Sequence, residues 1–463
     1  MLFLLLANLT WLQAFRADPL NADARNRRTQ LARFDHPRGD ILTFDGTAVA
    51  RSVRSSTSMH AYKRTYPDGE RYAAITGYVS LFGSAGLERL EGPVLSGDDP
   101  RVRVRSLMRE GGRRGADVRL TVDSRVQRAA YDALRATGRP GAAVAIDPAT
   151  GAILALASYP SYDPNRYATF DVAKLAATDR GLRADPGQPL LNRATSQTYP
   201  PGSTFKVVTA AAALASGEYT PATRVEAPRR LLLPASSVQL PNAGGQPCGD
   251  GQPPLAYAFQ VSCNTAFARI GLQLGQDVLR DQAEAFGFNA TDLTVPLAVA
   301  ESVFPARLDH AQTAMAAIGQ ADDRATPLLI AMFSAAVANN GVLMRPHLVE
   351  EIRMSDRTVI GRAEPVEYRT VLDVQTARAL TAMMVTVAQP GGTGSGAALP
   401  GISVAAKTGT AENVPGAPDH AVFTAFAPAE APVVAVGVVV ENGGAGGDVA
   451  APVARAVLQA ALG

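Results

Sequence analysis

The sequence predicts an α+β fold in two parts: a large part built on one antiparallel sheet with helices on its faces, and a smaller N-terminal pedestal. Three observations predict it. Apolar strand pairs occur near both ends of the larger part, at 142–157 and at 421–440. Between them runs a long, Ala-rich stretch dominated by helical patterning. Residues 16–115 are polar and rich in arginine instead. A chain of 463 residues also exceeds one ordinary domain. Its hydrophobic content of 47% supplies core material, while a net charge of +2 argues against nucleic-acid or strongly acidic partners. The expected division is 1–15, 16–115 and 116–463.

Met1 to Phe15 is almost wholly apolar. At 1.5 Å per residue it spans about 22 Å, short of a hydrocarbon core of roughly 30 Å. It has no basic flank and no small-residue cleavage site. We read it as the outer part of a membrane anchor whose beginning is missing; a buried N-terminal helix is the alternative. In the pedestal, Arg38-Gly39-Asp40-Ile41-Leu42 followed by Asp45-Gly46 predicts a strand and hairpin turn. Tyr72 to Val79 reads as a strand and Gly86 to Leu90 as a short helix. Arg109 to Arg114 reads as an exposed connector.

From Val118 the texture changes. Val118 to Val122 alternates as a strand, and Ser124 to Leu134 has the period of an amphipathic helix. Ala142 to Ile146 and Ala152 to Ala157 flank the turn Asp147-Pro148-Ala149-Thr150-Gly151, which predicts a buried hairpin. Near the C-terminus, 402–407, 421–427 and 433–440 are strand-like and 450–462 is helical.

Among 44 basic residues only Lys63, Lys174, Lys206 and Lys407 are lysines. Arginine stays protonated, whereas a desolvated lysine can act as a base. Lys206 follows Ser203 by three positions in Tyr199-Pro200-Pro201-Gly202-Ser203-Thr204-Phe205-Lys206, where the prolines force a turn and Ser203 stands at the expected helix start. A helix N-terminus favours an alkoxide and disfavours an ammonium, so a serine nucleophile with a neutral lysine base is one reading. An ordinary serine cap with a solvated lysine is the other, and taken alone the better one. Two further polar clusters are Ser262-Cys263-Asn264 and Lys407-Thr408-Gly409-Thr410. His36, His60, His310, His347 and His420 are scattered, which disfavours a zinc site and a histidine-based triad. Ala406 before Lys407 breaks the pattern of a phosphate-binding loop, and Gly391 to Gly396 lacks dinucleotide-loop spacing. Cys248 and Cys263 are the only thiols, fifteen residues apart. A disulfide is permitted outside the membrane, and two free thiols are the alternative.

S-x-x-K, S-x-N and K-T-G in this order resemble the signature of penicillin-recognising serine acyltransferases. S-x-x-K alone is weak; all three in order use two of the four lysines. Arg38 to Ile41, Gly83 to Glu88, Asp147 to Gly151, Pro160 to Asn165, Asn192-Arg193-Ala194, Ala317 to Gln320 and Lys407 to Glu412 extend the resemblance to class B penicillin-binding proteins, nearest their actinobacterial cell-division branch. The resemblance implies a transpeptidase/β-lactamase-like fold with an all-helical subdomain, and a peptidoglycan D,D-transpeptidase that β-lactams acylate. It implies Ser203 as nucleophile, Lys206 as general base and Ser262 as proton relay. Asn264, Lys407, Thr408, Gly409 and Thr410 would bind substrate. No cofactor or metal is implied. Partners would be stem peptides ending in D-Ala-D-Ala, β-lactams, the membrane through an N-terminal anchor with the catalytic domain outside, and a membrane glycosyltransferase of the division machinery. A D,D-carboxypeptidase shares all three motifs, and a non-enzymatic β-lactam sensor or divisome scaffold is the alternative from another class.

Overall fold

The computed structural model describes residues 34–56, 60–107, 114–413 and 416–463, with Asn8 and Trp11. The expected anchor lies outside these apart from those two residues, as does most of the 109–114 connector. Among the described residues no helix is long and apolar enough to cross a membrane.

In the pedestal, β1 (Ile41–Leu42) turns through Asp45-Gly46 into β2 (Ala48–Arg54), and β3 (Tyr62–Thr65) pairs with β2. The Thr43 hydroxyl donates to Asp45 Oδ1 at 2.7 Å, which closes that turn. Tyr72 to Val79, expected as a strand, is instead mostly helix: α1 spans Gly69–Thr76. Its buried residues are Tyr72, Ala73, Ile75 and Thr76, spaced one, three and four apart. That spacing marks a helix face, and a short apolar run satisfies both patterns until packing decides. α2 (Gly86–Leu90) forms as expected. It presents the fully buried Glu88 carboxylate to Arg38 Nη2 at 2.8 Å and Arg64 Nε at 2.5 Å, joining the segments around 38–41 and 83–88.

β4 (Asp117–Leu120) leads to α3 (Ser124–Ala136), whose first N–H groups donate to the Asp123 carboxylate. The hairpin of β5 (Gly141–Ile146) and β6 (Ile153–Tyr159) follows. The middle of the chain supplies α4 (Arg193–Ser196), α5 (Lys206–Ala215), α6 (Leu255–Gln260), α7 (Asn264–Phe286, broken at Gly275), α8 (Pro327–Ala338) and, further on, α9 (Val374–Ala388). Between α8 and α9 lie β7 (Val349–Arg353) and β8 (Val359–Arg362). The C-terminal part contains β9 (Ala405–Ala411), β10 (His420–Ala427), β11 (Val434–Val440) and α10 (Gly446–Leu462). β9 therefore runs on through Lys407 to Thr410, which the sequence placed at a strand end. Every residue from Ala405 to Ala411 pairs with β10.

Two sheets organise the described residues. The larger part is built on β9-β10-β11-β5-β6, antiparallel throughout, so the hairpins from both ends of that part share one sheet. α8 is buried at every position and lies on this sheet. A Cβ at Gly437 of β11 would stand 2.4 Å from the Ala331 nitrogen, so helix and strand approach this closely only over glycine. The pedestal sheet has the order β8-β7-β4-β1-β2-β3. It includes β4, just past residue 115, and a hairpin contributed from far along the chain.

Candidate active site

The turn before α5 is set by backbone restrictions. Gly202 adopts φ +53°, and a Cβ there would stand 2.6 Å from the Thr410 carbonyl oxygen. Its N–H donates to the Gly319 carbonyl at 2.9 Å. Ser203 consequently sits in a 3₁₀ turn, Gly202–Phe205, and the α-helix begins at Lys206. Neither the turn nor the helix has a side-chain cap, so the ordinary-cap reading does not describe Ser203. Ser203 lines a cleft of about 440 Å³ together with Ser262, Asn264, Thr408 and Thr410.

Lys206 is fully buried behind this cleft. Its Nζ donates to the Ser262 carbonyl at 2.8 Å and to Asn264 Oδ1 at 2.7 Å, and lies 3.3 Å from Ser262 Oγ. Burial first, and then the charge of Lys407, push its pKa well below the usual lysine range. The sequence attributed such a shift to the helix end; removal from water is the larger cause. A neutral amine has two hydrogens, and two carbonyl-type acceptors engage them. Its lone pair is left for a hydroxyl proton.

Lys407 is also fully buried. Its Nζ donates to Ser262 Oγ at 2.8 Å and to the Thr408 carbonyl at 2.9 Å. Burial lowers its pKa to about 7. Ser262 thus stands between two amines. It is held at φ +59° in the tight link between α6 and α7, a backbone conformation that costs a non-glycine residue about 1–3 kcal/mol. The neighbouring Cys263 is bonded to Cys248, with Cα atoms 6.2 Å apart, so the structure has the disulfide rather than two free thiols. Asn264 Nδ2 donates to the Pro241 carbonyl at 3.2 Å, so both ends of its amide are engaged by protein groups. Gly409 leaves room for Pro201: a Cβ there would stand 3.0 Å from the Pro201 oxygen.

Other cleft residues escaped the sequence reading. The Thr393 and Thr408 hydroxyls are 2.6 Å apart, and Gln320 Nε2 donates to the Thr410 carbonyl at 3.4 Å. Glu412 and Asp419, on either side of the β9–β10 turn, line the cleft with Gly446 to Asp448 at the start of α10. Thr393 lies in the glycine run 391–396, a local signal that marks a tight loop but names no function.

Comparison with known proteins identifies the family. Residues 141–459 match the family model of the penicillin binding protein transpeptidase domain, and residues 38–118 that of the penicillin binding protein A dimerisation domain. The chain is 45% identical over 478 aligned positions to peptidoglycan D,D-transpeptidase PbpA of Mycolicibacterium smegmatis, covering 100% of this chain and 96% of that one. It is 43% identical to the Mycobacterium tuberculosis PbpA, with the same coverage. The solved structure of penicillin-binding protein A from M. tuberculosis as a ceftriaxone acyl-enzyme superposes with a TM-score of 0.89 at 42% identity, covering 94% of this chain and all of that one. Its imipenem acyl-enzyme complex gives 0.88 at 43% identity, with 94% and 100% covered. On these matches the chain belongs to the class B penicillin-binding proteins, with their transpeptidase fold.

Proposed function

We infer that this protein is a serine-type peptidoglycan D,D-transpeptidase that cross-links stem peptides through an acyl-enzyme and is acylated by β-lactams. The observation that carries the reading is the convergence of two fully buried lysines on Ser262 Oγ, behind a cleft lined by Ser203. Ser203 Oγ attacks the carbonyl of the penultimate D-Ala and passes its proton to neutral Lys206. The backbone N–H groups of Ser203 and Thr410 receive the oxyanion, an arrangement worth about 2.7–4 kcal/mol per donor in comparable sites. Ser262 relays the proton to the departing D-Ala amine as the C–N bond breaks. Asn264 holds Lys206 and borders the substrate amide. Lys407, Thr408 and Thr410 take the terminal carboxylate, with Gly409 keeping the strand close to the nucleophile turn. An amine of a second stem then attacks the ester and releases Ser203.

The two family matches, at 38–118 and 141–459, support a pedestal over 16–115 and a transpeptidase domain over 116–463. Family likeness supports a role in cell division, a membrane anchor within 1–15 with the catalytic domain outside the cell, and a membrane glycosyltransferase partner. The nucleophile is tested with a fluorescent penicillin. The native chain is expected to be labelled on the peptide containing Ser203, and Ser203→Ala to lose all label; persistent labelling of the variant refutes the assignment.

A further inference from the structure

Behind the nucleophile turn, outside the cleft, two side chains donate to one carboxylate oxygen. The Tyr199 hydroxyl donates to Glu441 Oε1 at 2.7 Å, and Arg193 Nε donates to the same oxygen at 2.8 Å. Tyr199 and Arg193 are each 3% exposed. The two Nη groups of Arg193 donate to the carbonyls of Gln188 at 3.3 Å and Gly187 at 3.0 Å, which fixes the guanidinium plane. Glu441 is the first residue after β11, and its N–H donates to the Pro140 carbonyl at 2.7 Å. Its carboxylate is therefore anchored to the end of the main sheet. On its other side the Tyr199 ring meets His420 edge to face, with centroids 5.5 Å apart. His420 Nδ1 accepts the Asn442 N–H at 3.1 Å, which fixes that ring as well.

Tyr199 is also where the nucleophile turn begins. Its backbone N–H and carbonyl pair with Ala325 at 2.9 and 2.8 Å. Pro200 and Pro201 follow, and two locked φ angles make a stiff strut from Tyr199 to Gly202. At the far end Gly202 is held by Gly319 and pressed on Thr410. The two prolines and the Gly202–Gly319 bond limit the freedom of the chain between the phenol and Ser203.

We propose that Arg193, Tyr199 and Glu441 are positioning residues that hold Ser203 Oγ at attack distance by tying the nucleophile turn to the end of β11. They touch neither substrate nor the reacting atoms, so their loss slows acylation and leaves the preceding binding step intact. The proposal rests on Ser203 being the nucleophile.

The test measures acylation of the full chain by a fluorescent penicillin over a range of concentrations, well below the melting temperature. This separates the limiting rate constant from the apparent Kd. Tyr199→Phe is expected to lower the limiting rate about tenfold and Glu441→Ala about a hundredfold, since displacements near 1 Å cost that much. The apparent Kd should stay within about twofold. Glu441→Gln keeps an oxygen for both donors and is expected to recover to within about threefold of the native rate. If Tyr199→Phe and Glu441→Ala react at the native rate and merely give fewer labelled molecules, the three residues are structural and the proposal falls. Should Glu441→Ala not fold, Tyr199→Phe decides alone. Ser203→Ala in the same series separates the two readings: label on it overturns the nucleophile, and its silence beside an unaffected Tyr199→Phe overturns only the positioning.

Discussion

Lys206 and Lys407 sit so far inside the protein that neighbouring oxygens, rather than water, solvate their amines. In the proposed mechanism their needs are opposed: Lys206 must be neutral to accept the Ser203 proton, and Lys407 must be charged to attract a carboxylate. Burial and the charge of Lys407 favour the neutral form of Lys206, while the pKa of Lys407 falls to about 7. The second-order rate of acylation reports the free enzyme and is expected to be bell-shaped in pH. It falls on the acid side as Lys206 takes up a proton, and on the alkaline side as Lys407 loses one. Lys407→Arg cannot lose its charge, so its alkaline limb is expected to disappear even where the overall rate drops. A native rate that is flat between about pH 5 and 9 would contradict these assignments.

At the scale of elements, α8 packs on β11 over Gly437, where there is no room for a side chain. Gly437→Ala would drive a methyl into the Ala331 backbone and is expected to destabilise by about 1–3 kcal/mol, read as a lower urea midpoint with an unchanged slope. The sequence showed the strands of this sheet because their apolar runs are bounded by turn residues, as at Asp147 to Gly151. It also marked Ser203, Lys206, Ser262 and Lys407 as candidates, because they fall in short motifs, and the structure brings Lys206 and Lys407 together on Ser262. α1 was misread because Tyr72 to Val79 is apolar enough for either pattern. The Arg193–Glu441 pair left no local trace: its members are 248 positions apart. Nor does local pattern reveal that β7 and β8 join the pedestal sheet, since choice of partner strand is a property of the assembled fold.

In the whole molecule, paired strands join the two parts. β7 pairs with β4, and β4 pairs in parallel with β1. At this seam Glu351, 1% exposed, faces Arg119 at 3.1 Å, Arg362 at 3.0 Å and the adjacent Arg353. Burial works to raise its pKa, but hydrogen bonds from Arg362, Arg119 and Arg353 outweigh it and hold the carboxyl below its usual range. The stability this contributes is present above the unfolded carboxyl's pKa and is lost as pH falls through the folded one. Glu351→Ala leaves three guanidinium groups facing each other. It is expected to cost about 1–3 kcal/mol in urea denaturation near neutral pH and much less in acid, with the acylation rate of the folded protein unchanged.

The same seam sets the order in which the molecule can be completed during synthesis. Arg119 and Glu351, neighbours across β4 and β7, are 232 positions apart. At about 5–20 residues per second, β4 waits on the order of ten seconds or more with one edge unpaired. Until β7 arrives, the pedestal is an open sheet edge able to accept any extended strand. The half-made chain is therefore exposed to misassembly at this pedestal edge until β7 is made.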